Sequence, residues 1–297
     1  FRFAGSAADI RAAHRAHRIA SLLGMEGGQA IENSLGALRA YYDLGARYMT
    51  LTHNSHTDWA DSAMPDTPKS GGLSPFGERV VGEMNRLGML VDLSHTAADT
   101  MRDALDVSKA PVIFSHAAAR ALVDIPRNVP DDVIARLPAN GGVLMVTFVA
   151  GFVSQDAANT LFPVMKEFYQ SAGSAKTDEE RRAAYEKLKN IKLPPVTVKD
   201  VADHIEHVAK VASIDNVGIG GDFDGNDQWP EGLSDVSMYP NLFAELIRRG
   251  WSDRDLKKLA GENLLRAMTQ AERVARELQA TTPPDVTRFD ATSPGGR

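Results

Sequence analysis

The chain has 297 residues, 43% of them hydrophobic and 24% charged, the composition of an ordinary folded protein with room for one sizeable core. Its formal net charge of −6 argues against nucleic acid or an anionic membrane surface as the main partner, and no apolar run reaches the roughly 18 residues needed to cross a bilayer. The absence of cysteine excludes thiolate metal sites, cysteine nucleophiles and disulfides.

In chain order, residues 7–16 read as a helix feeding the first apolar run, 19–24, which ends at Glu26. Residues 34–44 form an amphipathic helix, and the run 47–52 ends at His53. The stretch 54–72 is rich in Asp, Ser, Pro and Gly and reads as a loop. Ser74 at N-cap, Pro75 at N1 and Gly88 past the end bracket the next helix. The run 88–93 ends at His95, a helix covers 96–107, and the run 111–115 ends at His116. A further helix starts near Pro130, and the run 143–147 ends at Phe148. Residues 154–195 break this rhythm. They are charge-rich, helix-prone and far longer than an ordinary connection, so they read as a helical insertion, a lid or a dimer contact. A helix over 200–212 precedes the last run, 216–221, which ends at Asp222, and two helices occupy 251–277.

Strands alternating with helices imply a parallel sheet with crossover connections. Strand ends carrying His, Glu and Asp point to a (β/α)8 barrel with a metal site at its C-terminal face. Six runs are two short of eight, so the first two strands are expected in a segment preceding Phe1, where the chain starts without Met. The expected organisation is one barrel domain over residues 1–278, with a loose tail over 279–297.

The candidate chemistry sits at those strand ends. Glu26 lies in Gly24-Met25-Glu26-Gly27-Gly28, where glycines allow a sharp turn and close approach to a ligand. A carboxylate there can bridge two cations, or it can be an exposed loop residue. His95 and His116 each close an apolar strand in a Ser-His pair, which sets two imidazoles side by side as ligands for zinc or a similar divalent ion. Asp222, in Gly220-Gly221-Asp222-Phe223-Asp224-Gly225, suits proton transfer beside a metal, with an acidic turn as the competing reading. His53 has no carboxylate motif around it and suits polarisation of a substrate carbonyl better than ligation. Arg127 would grip a carboxylate two-pronged, although spacing alone fits a surface arginine. His56-Thr57-Asp58 lies in a polar loop with no strand before it, and His204 and His207 precede a strand rather than follow one. All of these read as structural.

Taken in order, the Glu26 segment, Leu51-Thr52-His53-Asn54, Trp59-Ala60-Asp61, Gly72-Leu73-Ser74-Pro75-Phe76-Gly77, Asp92-Leu93-Ser94-His95, Val112-Ile113-Phe114-Ser115-His116, Arg127-Asn128-Val129-Pro130-Asp131-Asp132 and the Asp222 segment resemble the membrane (renal) dipeptidase family. The likeness runs from about residue 7 to 268, outside the 154–195 stretch. It implies an amidohydrolase-type (β/α)8 barrel with two zinc ions that cleaves free dipeptides, including those with a C-terminal D-residue. By position, Glu26 resembles the bridging carboxylate, and His95 and His116 the imidazoles of the second zinc. His53 and Arg127 fall on substrate-binding positions, and Asp222 on the catalytic acid/base. Phe152, at the pocket edge, replaces the Tyr of some relatives, and Gln29 replaces a His. The family's His-x-Asp for the first zinc has no counterpart in the chain.

Two other readings stand beside the dipeptidase: a barrel metal-hydrolase acting on another amide, a lactone or a β-lactam, and a catalytically dead binding protein. Relatives are often dimers, so a homodimer is expected, and a periplasmic or secreted location is favoured over a cytoplasmic one.

Overall fold

The computed structural model describes residues 1–174 and 177–290. Its strands are β1 (Arg2–Phe3), β2 (Ala20–Ser21), β3 (Leu23–Glu26), β4 (Ala46–Thr50), β5 (Leu90–Asp92), β6 (Val112–Ala117), β7 (Val143–Val146) and β8 (Val217–Ile219). The last six fall on the six apolar runs. β1 and β2 were not expected within the chain. They form a short parallel pair of their own, Arg2 opposite Ala20, around the helix Ala7–Arg15. The run over 19–24 is therefore split, with its first part serving β2 and its second β3.

The chain divides into two compact units. The first comprises Phe1–Ser115, Ala135–Val143 and the described residues from Gly261 onward. Within it, β3 to β6 lie parallel in chain order, with Glu26 opposite Thr50, Thr50 opposite Asp92, and Asp92 opposite Ile113. Each step is made by a helix: Leu35–Asp43, Pro75–Leu87 and Ala98–Val107. The middle one begins and ends as its sequence dictates. Ser74 Oγ accepts the Gly77 N–H, and Gly88 adopts the left-handed φ of 84°. Met49, Val91, Val112 and Phe114 on the strands, Leu93 just past β5, and Val80 and Met84 on that helix are fully buried. Burial of β5 and β6 along their whole apolar length is the pattern of a parallel sheet covered on both faces.

The final helix, Asn263–Thr281, packs on Pro75–Leu87. The segment beyond it was expected to be loose, yet it is held. The Asp285 N–H donates to Glu83, its carbonyl accepts from Arg39 at 2.8 Å, and its carboxylate pairs with Arg79 at 3.1 Å. Phe289 stands edge-on to Phe76, with ring centroids 5.3 Å apart. The anchor is the buried carboxylate of Glu83. Burial pushes its pKa up, but hydrogen bonds from Arg86 and Arg39 outweigh that and hold it below the ordinary value. The rest of the expected tail, 291–297, lies outside the described residues.

The second unit comprises His116–Ile134 and Leu144–Ala260. In it β7 and β8 are parallel, Leu144 opposite Val217 and Val146 opposite Ile219. The expected insertion is helical, as Gln155–Ser174 and Asp178–Lys189, the latter opened by a reciprocal cap between Thr177 and Glu180. His204 and His207 lie on the helix Val198–Val211 and make structural bonds: His204 Nδ1 accepts the Ala119 N–H at 3.0 Å, and His207 pairs with Asp131 at 2.8 Å. No helix among the described residues is long and apolar enough to cross a membrane.

Candidate metal and catalytic site

Glu26 is the last residue of β3, with its side chain about half exposed (49%). The turn behind it requires glycine twice. Gly27 has a φ of 119°, and a Cβ on Gly28 would lie 2.6 Å from both the Leu51 carbonyl and the buried Trp59 ring. His53 follows β4, and its carbonyl accepts from Ser62 Oγ at 2.6 Å. His95 follows β5 with a φ of 65°, a strained value for a residue bearing a side chain. Its backbone is fixed by its surroundings: its carbonyl accepts from the Ala63 N–H at 2.8 Å and from Thr52 Oγ1 at 3.2 Å.

Three adjacent strands thus deliver Glu26, His53 and His95 to one place, where one ligand atom from each lies within 4.8 Å of the others. His95 Nε2 is 3.1 Å from Glu26 Oε1, and the two imidazole rings sit 4.5 Å apart. Asn54 joins the rings, its Oδ1 3.2 Å from His95 Nδ1 and its Nδ2 3.4 Å from His53 Nε2. The amide oxygen can only accept, so a proton on His95 Nδ1 satisfies it and leaves Nε2 for Glu26 or for a cation. The 3.1 Å approach of Nε2 to the carboxylate suits either an Nε2–H donated to Glu26 or a cation between them. The donor set, one carboxylate and two imidazoles, fits a divalent metal.

The sequence groups His116 with Glu26 and His95 and keeps His53 for substrate; in the structure His53 is the imidazole that lies beside Glu26 and His95. The cause is strand order: His53 ends the strand between those of Glu26 and His95. His116 is buried at the end of β6, in the second unit.

The polar loop 54–72 is organised by buried Asp61. Burial raises its pKa, but N–H groups of Lys69, Ser70, Gly72 and Gly71 together hold it below the ordinary carboxylate value. His56 accepts the Ser62 N–H on Nδ1 at 2.9 Å and meets the Thr67 carbonyl on Nε2 at 3.0 Å, which confirms it as a loop-forming residue. Asn54 and Asp61 carry this geometry without having been singled out. The signal was present, an amide next to His53 and a lone acid in a Gly-Ser loop.

In the second unit Asp222 follows β8 with a φ of 56°. Gly225 lies against the Asp222 carboxylate, whose Oδ1 would be 2.4 Å from a Cβ placed there. Phe223 packs with Phe148 and Tyr239, centroids 5.6 and 5.8 Å away, which fixes the start of this loop. Further on, Asp227 accepts the Tyr185 hydroxyl at 2.8 Å, and Gln228 Nε2 donates to the Ile191 carbonyl at 2.8 Å, so the insertion is tied to the Asp222 loop. Arg127 is buried, with its guanidinium carbon 5.1 Å from the centre of the Phe152 ring. The structure brings these two predicted residues together.

The profile of the membrane dipeptidase family, peptidase family M19, matches residues 1–282. The chain belongs to this family. Among solved structures, the probable dipeptidase PvdM from Pseudomonas aeruginosa is similar, with 30% identity and a TM-score of 0.81 over 92% of this chain and 74% of that one. A metallo peptidase from Rhodobacter sphaeroides, liganded with a phosphinate mimic of the dipeptide L-Ala-D-Ala, shares 26% identity with a TM-score of 0.74, over 91% of this chain and 69% of that one. An amidohydrolase from Pseudomonas aeruginosa shares 26% identity with a TM-score of 0.73, over 91% of this chain and 78% of that one. This membrane dipeptidase family member is therefore a peptide-bond hydrolase of the metallo-dipeptidase type, with an α/β fold of the TIM-barrel class. The metal that the family uses finds a fitting donor set in Glu26, His53 and His95.

Proposed function

We propose that the chain is a zinc-dependent dipeptidase that hydrolyses free dipeptides, including those with a C-terminal D-residue. The observation that carries this reading is the clustering of Glu26, His53 and His95 within 4.8 Å in a chain of this family. Glu26 and His95 would hold the metal, with Glu26 able to bridge two ions and His116 as the further imidazole of the family pattern, while His53 beside them is kept for the substrate. Bound zinc supplies Lewis-acid polarisation and lowers the pKa of water toward neutrality.

The chain's own groups account for the remaining steps. His53, whose Nε2 lies 3.4 Å from the Asn54 amide nitrogen, can donate a proton from Nδ1 to the scissile carbonyl oxygen as charge develops there. Asp222 takes the proton of the attacking water and passes it to the departing amine nitrogen. Arg127, buried and resting over Phe152, binds the free C-terminal carboxylate, which limits substrates to short peptides. The L-Ala-D-Ala mimic on the Rhodobacter relative supports extending the substrate class to D-residues.

The test is a substrate panel on zinc-loaded protein, comparing L-Ala-L-Ala, L-Ala-D-Ala and their C-terminal amides, with zinc per chain measured in parallel. Hydrolysis of both free dipeptides and failure on both amides is expected. Equal rates on amides would remove the carboxylate clamp, and protein that takes up no zinc and cleaves nothing would refute the reading.

A further inference from the structure

Asp92 is the last residue of β5, fully buried, three positions before His95. Its Oδ1 accepts two backbone N–H groups, Ser94 at 3.1 Å and Ser115 at 2.8 Å. Its Oδ2 accepts two hydroxyls, Thr50 at 2.6 Å and Ser115 at 2.5 Å. The three partners come from three neighbouring strand ends. Two of them stand close in sequence to a residue of the cluster: Thr50 precedes His53 by three, and Ser94 immediately precedes His95.

The Ser94 bond has a particular consequence. It closes a tight turn in which an Asp side chain takes the N–H two residues on, a conformation that redirects the chain at once. The next residue, His95, then adopts its φ of 65° and turns its ring to Glu26. In a regular continuation of β5 the side chains would alternate between faces, and no such change of direction would follow.

We infer that Asp92 is the positioning residue that sets the Ser94-His95 turn and ties it to β4 and β6, placing His95 for metal binding through its contacts and not through its charge. The inference rests on the reading of His95 as a ligand. Asp92→Asn keeps an oxygen for the Ser94 and Ser115 N–H groups. Its NH2 faces two hydroxyls that can rotate to accept, so placement survives while the charge is lost. Asp92→Glu keeps the charge and moves the oxygens by one methylene, off both amides.

Zinc affinity of the full chain, measured by competition with a chromophoric chelator, separates these cases, and circular dichroism reports the fold. The Asn variant should bind zinc within about threefold of the parent, whereas the Glu variant should bind about 10- to 100-fold more weakly. An Asn variant that loses as much as the Glu variant, or a Glu variant that loses nothing, overturns the inference. His95→Ala is the control for the underlying reading. Unchanged zinc affinity in that variant removes the histidine as a ligand, and the positioning role falls with it.

Discussion

Asn128 offers the sharpest test of how Arg127 is held. Its side chain is fully buried, and its Nδ2 donates to the carbonyls of Val123 and Phe152, each at 2.9 Å. The first bond closes the arginine loop on itself, and the second ties it to the turn carrying the ring beneath the guanidinium. In Asn128→Ala both bonds vanish, with unequal results. The Val123 carbonyl keeps the Ile125 N–H at 3.0 Å, so its loss is about 1 kcal/mol, the net worth of one hydrogen bond. The Phe152 carbonyl is left without that donor in a buried setting, which adds roughly 1–2 kcal/mol. The expected loss of stability is therefore about 2–3 kcal/mol, read by urea unfolding with an unchanged slope. Activity tests the second half of the argument. KM for a free dipeptide should rise about tenfold, because small misplacements of a binding group are costly. In an Arg127→Ala background, Asn128→Ala should add nothing further to KM. Stability loss under 1 kcal/mol, or KM effects that multiply in the double variant, would refute the reasoning.

Other expectations follow from the same geometry. Asp222→Asn should retain zinc and lose most turnover, since the amide cannot accept the water proton, and normal kcat in that variant would dismiss the assigned role. Burial pulls the pKa of His204 down from 6.5 to about 4, so the fold favours its neutral form. Its contribution is fully present above pH 6.5 and is lost as pH falls through 6.5 toward 4, by roughly 3 kcal/mol in total. His204→Asn can offer the Ala119 N–H a non-titrating acceptor, so its midpoint of thermal unfolding should fall less steeply over that range than the parent's. Gly28→Ala places a methyl group against the Leu51 carbonyl and Trp59 and should lower stability by about 1–3 kcal/mol, measurable by thermal unfolding.

Much of this was legible in the sequence because the signals were local. Each apolar run of β-branched and aliphatic residues became a strand, and Ser74, Pro75 and Gly88 bounded their helix as short-range capping chemistry requires. Glu26 and His95 were visible for a similar reason, since a polar residue that closes an apolar strand must face the rim. The place of His53 depended on which strands are neighbours, and no residue near it carries that information. β1 and β2 were missed because two-residue strands hold too few side chains to show alternation. The C-terminal segment looked loose because its composition is that of a coil. Its anchor, Glu83, is some two hundred residues away, and only the folded chain brings Arg39, Arg86 and Asp285 to it.

The Ser94 and Ser115 amides hang on a single oxygen, and two hydroxyls share its twin. A fluctuation that frees one amide disturbs the acceptor of the other, so these strand ends open as one cooperative unit and not by independent fraying. Warming would then erase the ring geometry in a single step, and any cation that fits the closed arrangement would protect the Ser94 and Ser115 amides from solvent exchange to the same degree.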